Sequence, residues 1–136
     1  MILIKERIGK MLEYLQAQVY PKQVAIPSYK MIRTEERCLD VKNLDTSSWK
    51  EITNQELWGG HREYYWFETV VTIPEEFDGE CVVYELKTGK EGEWDATNPQ
   101  FSIFVNGVRV QGLDVNHREI ILAEPAKAGD TYRIVL

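Results

Sequence analysis

The 136-residue sequence is poor in the residues that usually announce chemistry, with two cysteines and two histidines in all. Cys38 and Cys81 lie far apart and in no C-x-x-C pattern, which excludes a dithiol redox motif and points to reduced structural thiols, a Cys38–Cys81 disulfide being the alternative. No apolar run approaches the ~18–20 residues of a membrane-spanning helix. The N-terminus also lacks a basic region, an apolar region and a small-residue cleavage site in series, so a cytoplasmic protein is expected. Basic excess is missing too: 16 Lys and Arg stand against 22 Asp and Glu, a net charge of -6. Residues 1–48 hold eight basic and six acidic side chains, whereas residues 49–136 hold eight basic and sixteen acidic. Neither nucleic acid nor an anionic membrane suits such a surface as a partner. Nothing repeats at a period of 20–50 residues, which excludes solenoids and propellers.

What is present is the composition of one globular domain, 43% hydrophobic and 11% aromatic in 15.9 kDa. Ile4, Ile8, Met11, Leu12, Leu15 and Val19 recur at steps of three and four, which predicts an amphipathic helix over 1–20, stopped by Pro21 and packed on the domain by its apolar stripe. Glu6 and Lys10 pair on its polar face. Residues 21–56 read as an extended connector anchored by Trp49 and Ile52, with a polar turn at Glu35-Glu36-Arg37 and loop composition at 45–48. From 57 to 136 the signals are those of strands. Trp66–Ile73 is aromatic and β-branched and ends at Pro74, and Cys81–Thr88 alternates with Val82, Tyr84 and Leu86 on one face. Asn106-Gly107 joins Phe101–Val105 to Val108–Val110 as a hairpin, and Arg118–Leu122 and Thr131–Leu136 complete the set. The expected fold is mainly β, an antiparallel jelly-roll-like sandwich with one N-terminal helix. Because the final residues Tyr132–Leu136 stand in mid-alternation, the chain is expected to be a domain cut from a longer polypeptide.

No catalytic constellation emerges. Glu75 and Glu76 fall in a turn, and Glu91, Glu93 and Asp95 in a loop, with nothing to hold two carboxyls ~5–10 Å apart across a cleft. Asp114-x-x-His117 offers an oxygen and a nitrogen, but a zinc site needs a third ligand and none lies at motif spacing. Neither cysteine has a histidine nearby in sequence, no serine sits in a G-x-S-x-G elbow, and Gly89-Lys90-Glu91-Gly92 lacks phosphate-loop spacing. The aromatics are dense enough to suggest a stacking platform. On a strand, Tyr65 and Phe67 face opposite to Tyr64 and Trp66, so one pair at least is core. Trp58, beside Gly59-Gly60, and Trp94, before Asp95, lie instead in loops where an aromatic ring meets a sugar or an adjoining domain.

The ordered series Trp58-Gly59-Gly60, Tyr65-Trp66-Phe67, Val71-Thr72-Ile73-Pro74-Glu75, Gly89-Lys90-Glu91-Gly92, Phe104-Val105-Asn106-Gly107, Gln111-Gly112-Leu113-Asp114, Asn116-His117-Arg118-Glu119 and Ala128-Gly129-Asp130 resembles the N-terminal β-sandwich domain of family-38 glycoside hydrolases. Within that family it is similar to the cytosolic and bacterial α-mannosidase branch, least so over Ser28–Ser48. The resemblance implies a parent enzyme that is a retaining, zinc-dependent α-mannosidase acting on mannose-containing glycans. The zinc ligands, nucleophile and acid/base residue of the family belong to the catalytic domain that follows, so none is carried onto this chain. No cofactor is expected here, zinc being expected in the catalytic domain, and the chain alone is expected to hydrolyse nothing. Its implied role is a noncatalytic accessory domain bracing the catalytic domain, with Trp58, Trp94, Asp95, Asp114 and His117 as candidate interdomain or sugar contacts. Asp114 and His117 are expected to fix their loop rather than touch substrate. A free-standing carbohydrate-binding module and a self-associating interaction domain are the alternatives.

Overall fold

The computed structural model describes residues 2–36, 40–90, 92 and 97–136. The amphipathic spacing forms α1 over Ile2–Val19, one residue short of the boundary expected from Pro21. Eight strands follow: β1 (Ser28–Thr34), β2 (Lys50–Thr53), β3 (Tyr64–Thr72), β4 (Val82–Glu85), β5 (Phe101–Val105), β6 (Val108–Leu113), β7 (Glu119–Ala123) and β8 (Thr131–Val135). Six of them make one antiparallel sheet in the order β2-β1-β3-β8-β5-β6, and β4 and β7 pair as a second. The fold is mainly β, two antiparallel sheets in a sandwich-like arrangement with one N-terminal helix, as the strand and helix signals predict.

Two expectations about the first third of the chain do not hold. Residues 21–56 are not simply a connector, because β1 pairs with β3 from Lys30↔Glu68 to Thr34↔Tyr64 and β2 adds a further strand outside it. The sandwich therefore begins at Ser28 rather than at 57. The stripe of α1 also does not pack on the domain: Ile4, Ile8, Met11, Leu12, Leu15 and Val19 are all more than half exposed. Trp49 and Ile52 do anchor their segment, the first against the outer cluster and the second in the main core.

The middle strands of the large sheet are covered on the inner face and, around Trp66, Phe104 and Val135, on the outer face as well, which explains why apolar residues stand on both faces there. On the inner face Ile52, Phe67, Ile103, Leu113, Ile134 and Leu136 meet Tyr84 of β4 and Ile120 of β7. On the outer face the segment 41–49 folds back so that Val41, Leu44 and Trp49 cover Trp66, Phe104 and Val135. Consecutive residues Ile134 and Val135 are thus both fully buried, on opposite faces. At the usual ~1.5–3 kcal/mol per buried aliphatic side chain, β8 contributes heavily for its length.

Arg133, the one charged residue of β8, fastens the outer cover. Its Nε donates to Glu68 Oε1 at 3.0 Å, its Nη1 to the Val41 carbonyl at 3.0 Å and its Nη2 to the Leu44 carbonyl at 2.9 Å. Trp66 Nε1 donates to the Glu36 carbonyl at 3.1 Å, so the indole polar atom is satisfied although the ring is buried. The hairpin of β5 and β6 turns on Asn106 and Gly107, both at positive φ, and the Asn106 side chain accepts from the Arg133 backbone N–H.

Candidate functional site

The strands run so that three segments meet at one end of the sandwich: 57–63 before β3, 86–90 after β4, and 114–118 between β6 and β7. Phe101, the first residue of β5, is the pivot. It lies 5.9 Å from Trp58 between ring centroids, and it lines a small hollow with Leu86, Asp114 and Arg118. Phe101 is thereby a common neighbour of Trp58 and Asp114, with His117 held on Asp114, residues that the sequence offered separately. Trp94 and Asp95 lie outside the described residues.

Trp58 is 37% exposed, seated edge-on against three rings, at 5.5 Å from Tyr65, 4.7 Å from Phe67 and 5.9 Å from Phe101. Edge-to-face packing of this kind satisfies the ring quadrupoles and leaves the remaining indole surface outward. Gly59, at φ 102°, turns the chain directly after it, a conformation that disfavours any side chain. Beside this cluster Tyr65 Oη donates to Glu63, and Arg33 Nη2 pairs with the same carboxylate at 3.2 Å. The bond to Glu63 is the main cause that holds the Tyr65 phenol above its ordinary pKa.

The Asp114 turn is built by its own backbone. Asp114 Oδ1 accepts from the N–H of Asn116 at 2.8 Å and of His117 at 2.7 Å, and the Asp114 N–H donates to the His117 carbonyl at 3.0 Å. The Asn116 and His117 amides lower the Asp114 carboxyl pKa, in that order. His117 Nδ1 lies 3.2 Å from the same oxygen, with the ring largely exposed. This is an Asx-type turn, and its hydrogen bonds are spent on loop shape. Among the described residues no group of three or more His, Cys, Asp or Glu converges as a metal set, so Asp114 and His117 have no third ligand there. Cys81 is an exposed free thiol, and Cys38 lies outside the described residues.

From this end an open cleft of about 1570 Å³ runs between the sheets, lined among others by Tyr29, Ile52, Trp58, Phe67, Tyr84 and Leu122. Its floor carries a feature that the alternation pattern concealed. Tyr29 of β1 and Tyr84 of β4 meet hydroxyl to hydroxyl at 2.9 Å across the gap. Burial pushes both phenols up, Tyr84 the further. The strap 20–26 crosses the mouth, tied by Tyr20 Oη to Glu119, by Lys22 Nζ to the Glu76 carbonyl at 2.7 Å and by Asn54 Nδ2 to the Ile26 carbonyl at 2.6 Å.

No helix of the described residues is long and apolar enough to cross a membrane. Compared with protein-family models, curated proteins and solved structures, the chain matches none.

Proposed function

We propose that this chain is a noncatalytic accessory β-sandwich of a cytoplasmic family-38 α-mannosidase, and that its loop end braces the enzyme's catalytic domain. The observation that carries this reading is the placement of Trp58. A partly exposed indole held by three rings, one of which, Phe101, also borders the Asx turn of the 114–118 loop, is a rigid apolar anchor of the kind that interfaces centre on. The ordered resemblance of 58–75 and 104–130 supports the family. On this reading the chemistry, including the zinc, belongs to the catalytic domain, and no catalytic step is assigned to this chain.

The test is immunodepletion from a lysate of the source cell with antibody raised against the 136-residue chain. The expected result is removal of chelator-sensitive α-mannosidase activity, with the antigen running far above 15.9 kDa. An antigen of 15.9 kDa with the activity left in the lysate overturns the proposal. One observation favours a second reading, a free-standing carbohydrate-binding module: the aromatic-lined cleft of about 1570 Å³ is large enough for a glycan. In that case mannose-containing oligosaccharides quench Trp58 fluorescence on titration, and Trp58→Ala abolishes binding with the fold intact.

A further inference from the structure

We infer that α1 is a self-association helix that pairs antiparallel with α1 of a second copy of this chain. The helix projects from the sandwich with its stripe uncovered: Ile4, Ile8, Met11, Leu12, Leu15 and Val19 are 52% to 63% exposed. The steps from Ile4 to Ile8 to Met11 to Leu15 are four, three and four, the spacing of a two-stranded coiled-coil seam. An 18-residue helix is about 27 Å long. Two such stripes in contact along their length bury at most roughly 600 Å² per partner, the low end of specific interfaces, which suits a dimer that comes apart on dilution.

Charge fixes the direction. The first turn of α1 holds no acidic residue and the last turn no basic one, so the helix dipole is uncompensated at both ends within the chain. Lys5, Arg7 and Lys10 outnumber Glu6 in the first half of the helix, and Glu13 is the one charge of the second half. Parallel pairing stacks those charges and both like poles together. Antiparallel pairing sets each basic end beside the carbonyl end of the other copy, and it lays Arg7 alongside Tyr14 of the second copy, where the guanidinium meets an exposed ring. Among the described residues the helix is tied to the sandwich through the 20–26 strap, and the inference rests on the stripe of α1 and not on the enzyme assignment.

Light scattering of the purified 136-residue chain tests it. The expected mass is twice 15.9 kDa at micromolar concentration, falling towards 15.9 kDa on dilution. Ile8→Glu with Leu15→Glu is expected to give the monomer mass with an unchanged near-ultraviolet circular dichroism spectrum, while Glu13→Ala on the opposite face leaves the dimer intact. Orientation is read by a short bismaleimide in a Cys38→Ser, Cys81→Ser background. Mixed Leu3→Cys and Gln18→Cys proteins are expected to crosslink, and Leu3→Cys alone is not, because its two sites stand roughly 20 Å apart. A wild-type monomer at every concentration, a dimer that survives both glutamates, or crosslinking of Leu3→Cys alone overturns the inference.

Discussion

Arg133→Met removes a guanidinium that makes three side-chain bonds, one to Glu68 and two to the carbonyls of Val41 and Leu44. Methionine keeps most of the aliphatic stem, so the packing of that stem is nearly conserved and the loss is electrostatic. What remains is the Glu68 carboxylate, 8% exposed, without its cation. Removing one partner of a buried pair costs about 3–5 kcal/mol. The two carbonyls regain water only if the 41–49 segment lifts, and lifting it uncovers Trp66 and Val135. For a domain of this size about 3–5 kcal/mol lowers the melting temperature by roughly 10–15 °C. The assay is urea unfolding followed by Trp fluorescence, for Arg133→Met, Glu68→Gln and the double variant. The double variant is expected to recover more than half of the loss, since no uncompensated charge is then buried. A single-variant effect below about 1 kcal/mol, or strict additivity, refutes the reasoning.

Four further outcomes are expected. Tyr84→Phe leaves the Tyr29 hydroxyl without its partner and costs about 1–3 kcal/mol by thermal melts, whereas adding Tyr29→Phe restores most of it. Both phenols have pKa values raised by burial, and Tyr20 is pushed up to about 12, chiefly by its bond to Glu119. Their contribution is therefore full below pH 10 and lost as pH rises beyond it, so alkaline titration should show an unfolding step that Tyr29→Phe with Tyr84→Phe reduces. Asp114→Asn lowers the melting temperature at neutral pH. Because the Asp114 pKa is held below its ordinary 3.8, the difference from wild type persists above that pH and vanishes only in stronger acid. Gly107→Ala strains a residue at φ +80° and places a Cβ 2.7 Å from Lys42 Cγ and 3.2 Å from its backbone Cα, at a cost of about 1–2 kcal/mol or more by urea unfolding.

The strands most legible from sequence are those whose residues carry the whole signal locally. β5 and β6 are announced by Asn106-Gly107, and β3 by nine residues rich in aromatic and β-branched side chains. β1 and β2 were hidden for a physical reason. β1 sets Tyr29 and Met31 inward and Ile32 outward, where it stays exposed, so its apolar residues do not keep the period of two. β2 is four residues long with one buried side chain, Ile52. The Asp114 turn was readable because an Asx turn is local, and Trp58 because glycines follow it. Their meeting beside Phe101 was not, nor was the Arg133–Glu68 pair, whose members are 65 residues apart. For α1 the spacing revealed the stripe but not what covers it, because amphipathicity states that a partner is needed and not which one.

The strand order has a kinetic side. β8 lies between β3 and β5, yet it is made after both, so on the ribosome each of those strands has an unpaired edge until residues 131–135 emerge. At ~5–20 residues per second the interval between β5 and β8 lasts on the order of seconds. Within that time the aromatic edge of β3 offers free backbone donors and acceptors to any neighbouring nascent chain. The large sheet cannot close progressively from one end, and its cooperative folding waits for a strand that contributes five residues. Crowded synthesis, more than the stability of the finished sandwich, is then the condition under which this chain is most exposed to misassembly.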